Sequence, residues 1–152
     1  MISHRETRFV PYPAELMYAV VSDVEQYPQF LPWVVAIRVL SRGENHLTAE
    51  MAVGYGALRE RYTSDIRLDP QTRRVDVAQI AGPFKTLENH WRFIPQGEGC
   101  EIEFSIQFEF KSRLLHGVAG AKFEKVMLKM TDAFEARAKA IQTASRGDAT
   151  GQ

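Results

Sequence analysis

The sequence predicts an α+β fold in which an antiparallel sheet is covered by one long C-terminal helix. Three observations carry this. Turn signals recur at regular intervals between residues 34 and 110, which is the spacing of an antiparallel meander. The strand before the helix alternates without a break, with Ile102, Phe104, Ile106, Phe108 and Phe110 on one face and Glu101, Glu103, Ser105, Gln107 and Glu109 on the other. One face is therefore expected to be buried and the other wet. After Ser112 the apolar residues change to a helical period.

Residues 2–10 read as a strand stopped by Pro11 and Pro13. Leu16, Met17, Val20 and Val21 then recur at helical spacing. Ser22-Asp23 is expected to cap a second short helical turn, which Tyr27-Pro28 ends. Phe30-Leu31-Pro32-Trp33 follows, in a segment that prolines keep irregular. Its bulky side chains must pack on something, either as a plug closing one end of a core or as a lid over a ligand pocket. Six strands come next, separated by turns at 41–45, 54–56, 69–72, 82–83 and 95–99. Ser112 is expected to cap the last helix, which runs about thirty residues to about Ile141, or ~45 Å. Its apolar stripe is Leu115, Val118, Ala119, Phe123, Val126, Met127, Met130, Phe134, Ala138 and Ile141. The predicted order is β-α-α-β6-α, with six to seven strands in the sheet. Residues 1–142 form the domain, and the polar segment 143–152 is expected to be a disordered tail.

At 152 residues the chain is one domain, long enough to bury roughly 70% of the surface its unfolded form exposes. Nineteen basic residues balance nineteen acidic ones, so a strongly electrostatic nucleic-acid binder is disfavoured and no DNA partner is expected. A local basic patch survives that argument. The composition, 45% hydrophobic and 25% charged, excludes a disordered or collagen-like chain. Cys100 is the single cysteine and has no internal disulfide partner, which points to a reducing compartment. The first ten residues are polar and alternating, without the apolar run of a secretory signal, and no stretch approaches ~18 apolar residues. The expected location is cytoplasmic, peripheral to a membrane at most.

Strand parity locates the polar residues. In residues 87–93 the inward set is Leu87, Asn89, Trp91 and Phe93, which sends Glu88, His90 and Arg92 outward as a solvated ladder without catalytic work. In residues 58–66 it is Leu58, Glu60, Tyr62, Ser64 and Ile66, provided no bulge at Gly54 or Gly56 breaks the register. Glu60, Tyr62, Ser64 and Asn89 thus sit on a face that should be apolar. Burying them dry is costly, so they pair with each other, with water or with a ligand. The run His116-Gly117-Val118-Ala119-Gly120-Ala121 opens the last helix, giving either close approach to the sheet or a mobile helix start beside an opening. No phosphate-cradling loop or nucleophile–histidine–acid set can be assembled. His4, His46, His90 and His116 lack metal-ligand spacing, and each reads as a surface residue.

Asp23 to Trp33, Gly82-Pro83-Phe84 with Leu87-Glu88-Asn89 and Trp91-Arg92-Phe93, and Phe108 to Leu115 together resemble the coenzyme Q-binding START-like family of the polyketide cyclase and lipid transport superfamily. The similarity runs from about residue 3 to residue 140, and Tyr27-Pro28-Gln29-Phe30-Leu31-Pro32-Trp33 is its most specific part. The resemblance implies the helix-grip fold, a curved antiparallel sheet around a long C-terminal helix with an elongated apolar cavity between them. It implies a binding protein for ubiquinone or a related isoprenoid lipid, a quinone chaperone supporting respiration. Bacterial members include the ribosome association toxin, so association with the large ribosomal subunit is the alternative; Lys122, Lys125 and Lys129 on one helix face would serve it. A polyketide cyclase-like enzyme is a third reading, with Glu60 as its one candidate acid or base. The expected ligand contacts are Phe30, Trp33, Tyr55, Glu60, Tyr62, Ser64, Phe84, Asn89, Trp91, Phe104, Phe108, Val118 and Phe123. No catalytic residue, metal or cofactor is implied; ubiquinone enters as the bound ligand.

Overall fold

Alternation in residues 99–110 is realised in the strand next to one edge of a seven-stranded antiparallel sheet. A computed structural model describes residues 1–55, 58–120 and 123–150; the side chains of Tyr55, Leu58, Val118, Ala119 and residues 146–150 lie outside the description. The elements are β1 (Ile2–Val10), α1 (Ala14–Ser22), a 3-10 turn (Val24–Gln26), α2 (Tyr27–Phe30), β2 (Val34–Arg42), β3 (His46–Tyr55), β4 (Leu58–Asp69), β5 (Arg74–Ala81), β6 (Phe84–Gln96), β7 (Gly99–Phe110), α3 (Arg113–Gly120) and α4 (Phe123–Thr150). The sheet order is β1-β7-β6-β5-β4-β3-β2. Sequential strands pair as hairpins, and β1 returns to close the edge beside β7. The fold is the α+β architecture expected from the sequence, a seven-stranded antiparallel sheet with a long C-terminal helix.

The β3–β4 register is unbroken from His46↔Arg67 to Tyr55↔Leu58, so there is no bulge at Gly54 and β4 keeps the expected parity, while Gly56 lies outside the described residues. Register shifts occur instead between Val34 and Ala36, Val39 and Ser41, Thr63 and Ser64, and Phe84 and Thr86. Bulges of this kind increase local twist and bend the strand that carries them. The β5–β6 turn depends on Gly82, whose φ of 149° suits glycine, and where a Cβ would lie 2.6 Å from the Cβ of Tyr62. The Gln79 amide clamps this turn, donating to the Phe84 carbonyl at 2.9 Å and accepting from its N–H at 3.1 Å.

The two ends of the sheet differ. At the end holding Val10, the start of β7 and the β2–β3 turn, Val10, Met17, Leu47, Phe93 and Cys100 are each at most 1% exposed and packed solid. Burial pushes the Cys100 thiol up to about 11, with Glu15 adding to the shift, so it is protonated at neutral pH. The other end, holding Phe84, Phe110 and the start of β2, carries a separate aromatic cluster of Phe84, Leu87, Phe108 and Phe110, joined by Leu115 and Phe123.

Several local expectations need correction. Pro28 does not end a helical turn; it lies in the first turn of α2, where its missing N–H breaks no helical bond. Asp23 makes no side-chain cap, and Ser22 Oγ bonds back to the Ala19 carbonyl instead. The last helix is described as α3 and α4, separated by residues 121–122, which lie outside the described residues together with Gly56 and Ala57 of the expected turn. The start at Ser112 holds, since its Oγ accepts from the Leu115 N–H at 3.3 Å. Helix α4 continues to Thr150 rather than stopping near Ile141, into the segment expected to be a tail. His4 is not a surface residue. Its side chain is 10% exposed on the inner face of β1, near the rings of Phe104 and Phe123.

Candidate functional site

Helix α4 and the inner sheet face do not close on each other along their whole length. Between them lies a cavity of about 370 Å³, within the ~300–1,000 Å³ range of small-molecule sites. Its wall comes from alternate residues of β3 to β7, from Met127, Met130 and Phe134 of α4, and from Tyr27, Leu31 and Trp33 of the proline-broken segment. It runs from Val75 and Ile66 at mid-sheet to Phe84, Phe110 and Phe123 at the end carrying α3. Trp91 anchors its floor, with ring centroids 4.1 Å from Phe104 and 5.3 Å from Phe134.

Few polar atoms interrupt this apolar wall, and their hydrogen bonding is incomplete. Ser64 is 5% exposed, and its buried Oγ has no partner. Asn89 Oδ1 accepts from Trp91 Nε1 at 3.2 Å, while the Asn89 amide nitrogen donates to no described residue. Tyr62 donates to Met51 Sδ at 3.3 Å, a weak acceptor that leaves the phenol easy to recruit. Tyr27 donates to the Val21 carbonyl and is thereby engaged. Burial pushes the Tyr62 phenol up to about 12 and raises Tyr27 further, with the Tyr62 and Asp23 charges adding to the latter. Both are neutral donors near pH 7. Among the described lining residues they are the titratable groups. No group of three or more His, Cys, Asp or Glu among the described residues is placed to hold a metal ion.

Of the expected contacts, Trp33, Tyr62, Ser64, Phe84, Asn89, Trp91, Phe104, Phe108 and Phe123 line the cavity. Phe30 does not. It packs behind the wall against Tyr27 and Phe134, at centroid distances of 6.0 and 5.4 Å, under the Arg137 guanidinium. Segment 30–33 thus divides the two roles considered for it, with Leu31 and Trp33 on the cavity and Phe30 wedged against the helix. Glu60 shares the inner parity of Tyr62 but is half-buried outside the lining, because the third residue of β4 already lies at the sheet end. The side chains of Tyr55, Val118 and Lys122 lie outside the described residues. Tyr27, Met51, Met127, Met130 and Phe134 line the cavity without having been expected as contacts. The helix residues were legible as an apolar stripe and Met51 by its parity with Ala49 and Val53, but nothing in the sequence turned Tyr27 inward. Glu88 and His90 sit outward, His90 bonded to Asp76 at 2.6 Å.

This architecture has relatives. The family model described as polyketide cyclase / dehydrase and lipid transport matches residues 10–135. The chain belongs to this family. It is 35% identical over 144 residues to the ribosome association toxin RatA of Rickettsia prowazekii, covering 93% of this chain and 99% of that one. It is also 35% identical over 144 residues to the mitochondrial coenzyme Q-binding protein COQ10 homolog B of Xenopus laevis, covering 92% of this chain and 59% of that one. The solution structure of an 18 kDa protein of Caulobacter crescentus superposes with a TM-score of 0.79 at 37% identity, covering 94% of this chain and 99% of that one. Family members thus carry names from both lipid binding and ribosome association, and no helix among the described residues is long and apolar enough to cross a membrane.

Proposed function

We propose that the chain binds ubiquinone or a related isoprenoid lipid in the cavity and carries it as a chaperone supporting respiration, with no chemistry of its own. The observation that carries this reading is the buried, unpartnered Ser64 hydroxyl in an apolar cavity. An unsatisfied buried hydroxyl costs about 1–3 kcal/mol, which a ligand acceptor would recover. A polyprenyl tail gives little selectivity, because it leaves one apolar medium for another and its ~0.8 kcal/mol per CH₂ nearly cancels. Discrimination falls to the head. Ser64 and Asn89 lie on β4 and β6 with β5 between them, opposite Gln79 and Val77, so their backbones stand about 12 Å apart at ~4.8 Å per strand and ~3.4 Å per residue. Two separated donors suit a ring with two carbonyl oxygens on opposite sides. Tyrosines held neutral are donors rather than acid–base catalysts at pH 7, which favours binding over a cyclase-like activity.

Titration of short- and long-tailed ubiquinone analogues against Ser64→Ala and Tyr62→Phe tests the reading. Ser64 has no internal partner to lose and Tyr62 only a sulfur, so both variants should fold. Each should bind both analogues roughly two- to twelvefold more weakly, the effect of one lost neutral hydrogen bond of about 0.5–1.5 kcal/mol. Unchanged affinity in both would remove the head site from these residues. A ribosome-associated role is the second reading, favoured by the RatA relative aligned over nearly its whole length. Salt-dependent cosedimentation with large ribosomal subunits, indifferent to both variants, would establish it instead.

A further inference from the structure

The sheet end that the cavity reaches has an unusual surface. Here the β5–β6 turn and the β7–α3 connection lie side by side: Phe84 pairs with Phe110, and the Lys111 N–H donates to the Pro83 carbonyl at 2.9 Å. Among the described residues, the four most exposed large apolar side chains are Leu114 (78%), Met1 (65%), Val35 (64%) and Ile80 (60%). All four belong to this end, at the starts of α3, β1 and β2 and the close of β5. Lys85, Lys111 and Arg113 flank Ile80 and Leu114 in the β5–β6 turn and the β7–α3 connection, with Lys125 in the first turn of α4, all exposed. None of these four cations has a carboxylate within 4 Å among the described residues, so their charge is not neutralised by a neighbour. The acids of this end are Glu60, Glu109 and Glu124, and only Glu124 is exposed. In a chain of zero net charge this is a local excess of cations mixed with apolar tips.

We infer that this end docks on a bilayer containing anionic phospholipid, an inference that rests on the lipid-carrier reading above. Cations near a membrane surface are drawn to anionic headgroups, while apolar tips gain by entering the boundary beneath them. RNA phosphates would satisfy the cations but give Leu114 and Ile80 nothing. The placement is also the one a carrier needs, since the docked end is the one the cavity reaches. Helix α3 stands between the two: Leu115 packs into the aromatic cluster, Leu114 faces out, and His116 Nδ1 is buried without a partner. Its internal Gly117 would meet no neighbour even with a Cβ, so the outer side of the helix is open.

Flotation of the full chain with phosphatidylcholine vesicles, with and without phosphatidylglycerol, tests this at low and high salt. The chain should float with the anionic vesicles and lose them as salt rises. The triple variant Lys85→Glu, Lys111→Glu, Arg113→Glu should weaken binding at least tenfold, since each cation near the surface is worth about fivefold. Leu114→Ser should weaken it severalfold with the salt dependence retained, and Arg74→Glu, at the opposite end, should leave it unchanged. Failure to float with anionic vesicles, or a triple variant that floats as the natural chain does, would overturn the inference. So would ribosome cosedimentation lost in the triple variant without any vesicle binding, because the surface would then read RNA. Quenching of tryptophan fluorescence by a short-tailed quinone without vesicles separates the two proposals. Quenching without flotation fells the docking surface alone, and flotation without quenching fells the cavity reading alone.

Discussion

Ser64 and Asn89 stand on the same inner face, and the bonding of each decides what its removal does. The Ser64 hydroxyl is buried with nothing to bond to, so the ligand-free protein carries its full desolvation cost. Ser64→Ala should therefore leave the empty chain as stable or more stable, by up to about 1 kcal/mol in urea denaturation, while weakening ligand binding. Asn89→Leu differs, because Asn89 Oδ1 is the acceptor for the Trp91 indole N–H and Trp91 is 5% exposed. That variant strands a buried donor and should lose about 1–3 kcal/mol with or without a ligand. A site built for an absent acceptor gives opposite signs; two satisfied core residues would give the same sign. Parity alone placed both residues inward, yet which was satisfied and which was not could not be read from it. Hydrogen-bond partners depend on rotamers and on strands distant in sequence.

At the scale of elements, β1 shows where alternation stops being informative. Its inner face carries His4, Glu6 and Arg8 while Phe9 points outward at 59% exposure, the reverse of an ordinary half-buried strand. The reason lies 125 residues away, in α4. Glu6 accepts from Thr131 Oγ1 at 3.2 Å and pairs with Arg8 at 2.9 Å, and Arg8 reaches Asp132 at 2.7 Å and Glu135 at 3.3 Å. Thr131, 2% exposed, has one hydroxyl proton, shared between Glu6 and the Leu128 carbonyl at 3.0 Å. This polar latch fixes the edge strand to the helix where apolar packing would have to seal a partly wet seam. Glu6→Ala removes the shared acceptor of Thr131 and Arg8. It should cost about 1.5–3 kcal/mol in chemical denaturation, the range for hydrogen bonds to a charged group. A loss under ~0.5 kcal/mol would mean that the latch is a solvated surface pair. Strand β7, with strict alternation and an apolar inner set, was legible throughout, because there pattern and burial agree.

The whole molecule is a core packed at one end and hollow at the other, and that asymmetry was only half visible beforehand. Polar residues at inward positions marked a cavity, but its length was set by how α4 crosses the sheet, which no local pattern encodes. The hollow can be tested by filling it. Val77 sits at the centre of β5, paired with Ile66 and Asn89, and its side chain lines the cavity. Val77→Phe puts a ring where a ligand would lie. In a close-packed core such an insertion costs about 1–3 kcal/mol, whereas in an empty cavity it should be neutral or stabilising. The second comparison is with ligand. At a hundred times its Kd a ligand that binds only the folded chain adds about 2.7 kcal/mol, roughly 5–11 °C in Tm for a chain of this size. The natural chain should show that shift with a short-tailed quinone, and Val77→Phe should show almost none. Val77→Leu, a smaller intrusion, should fall between them and guards against a misfolded ring variant. If all three chains shift equally, the quinone binds outside the cavity. If none shifts while Val77→Phe is stabilised, the cavity is real but holds a different ligand.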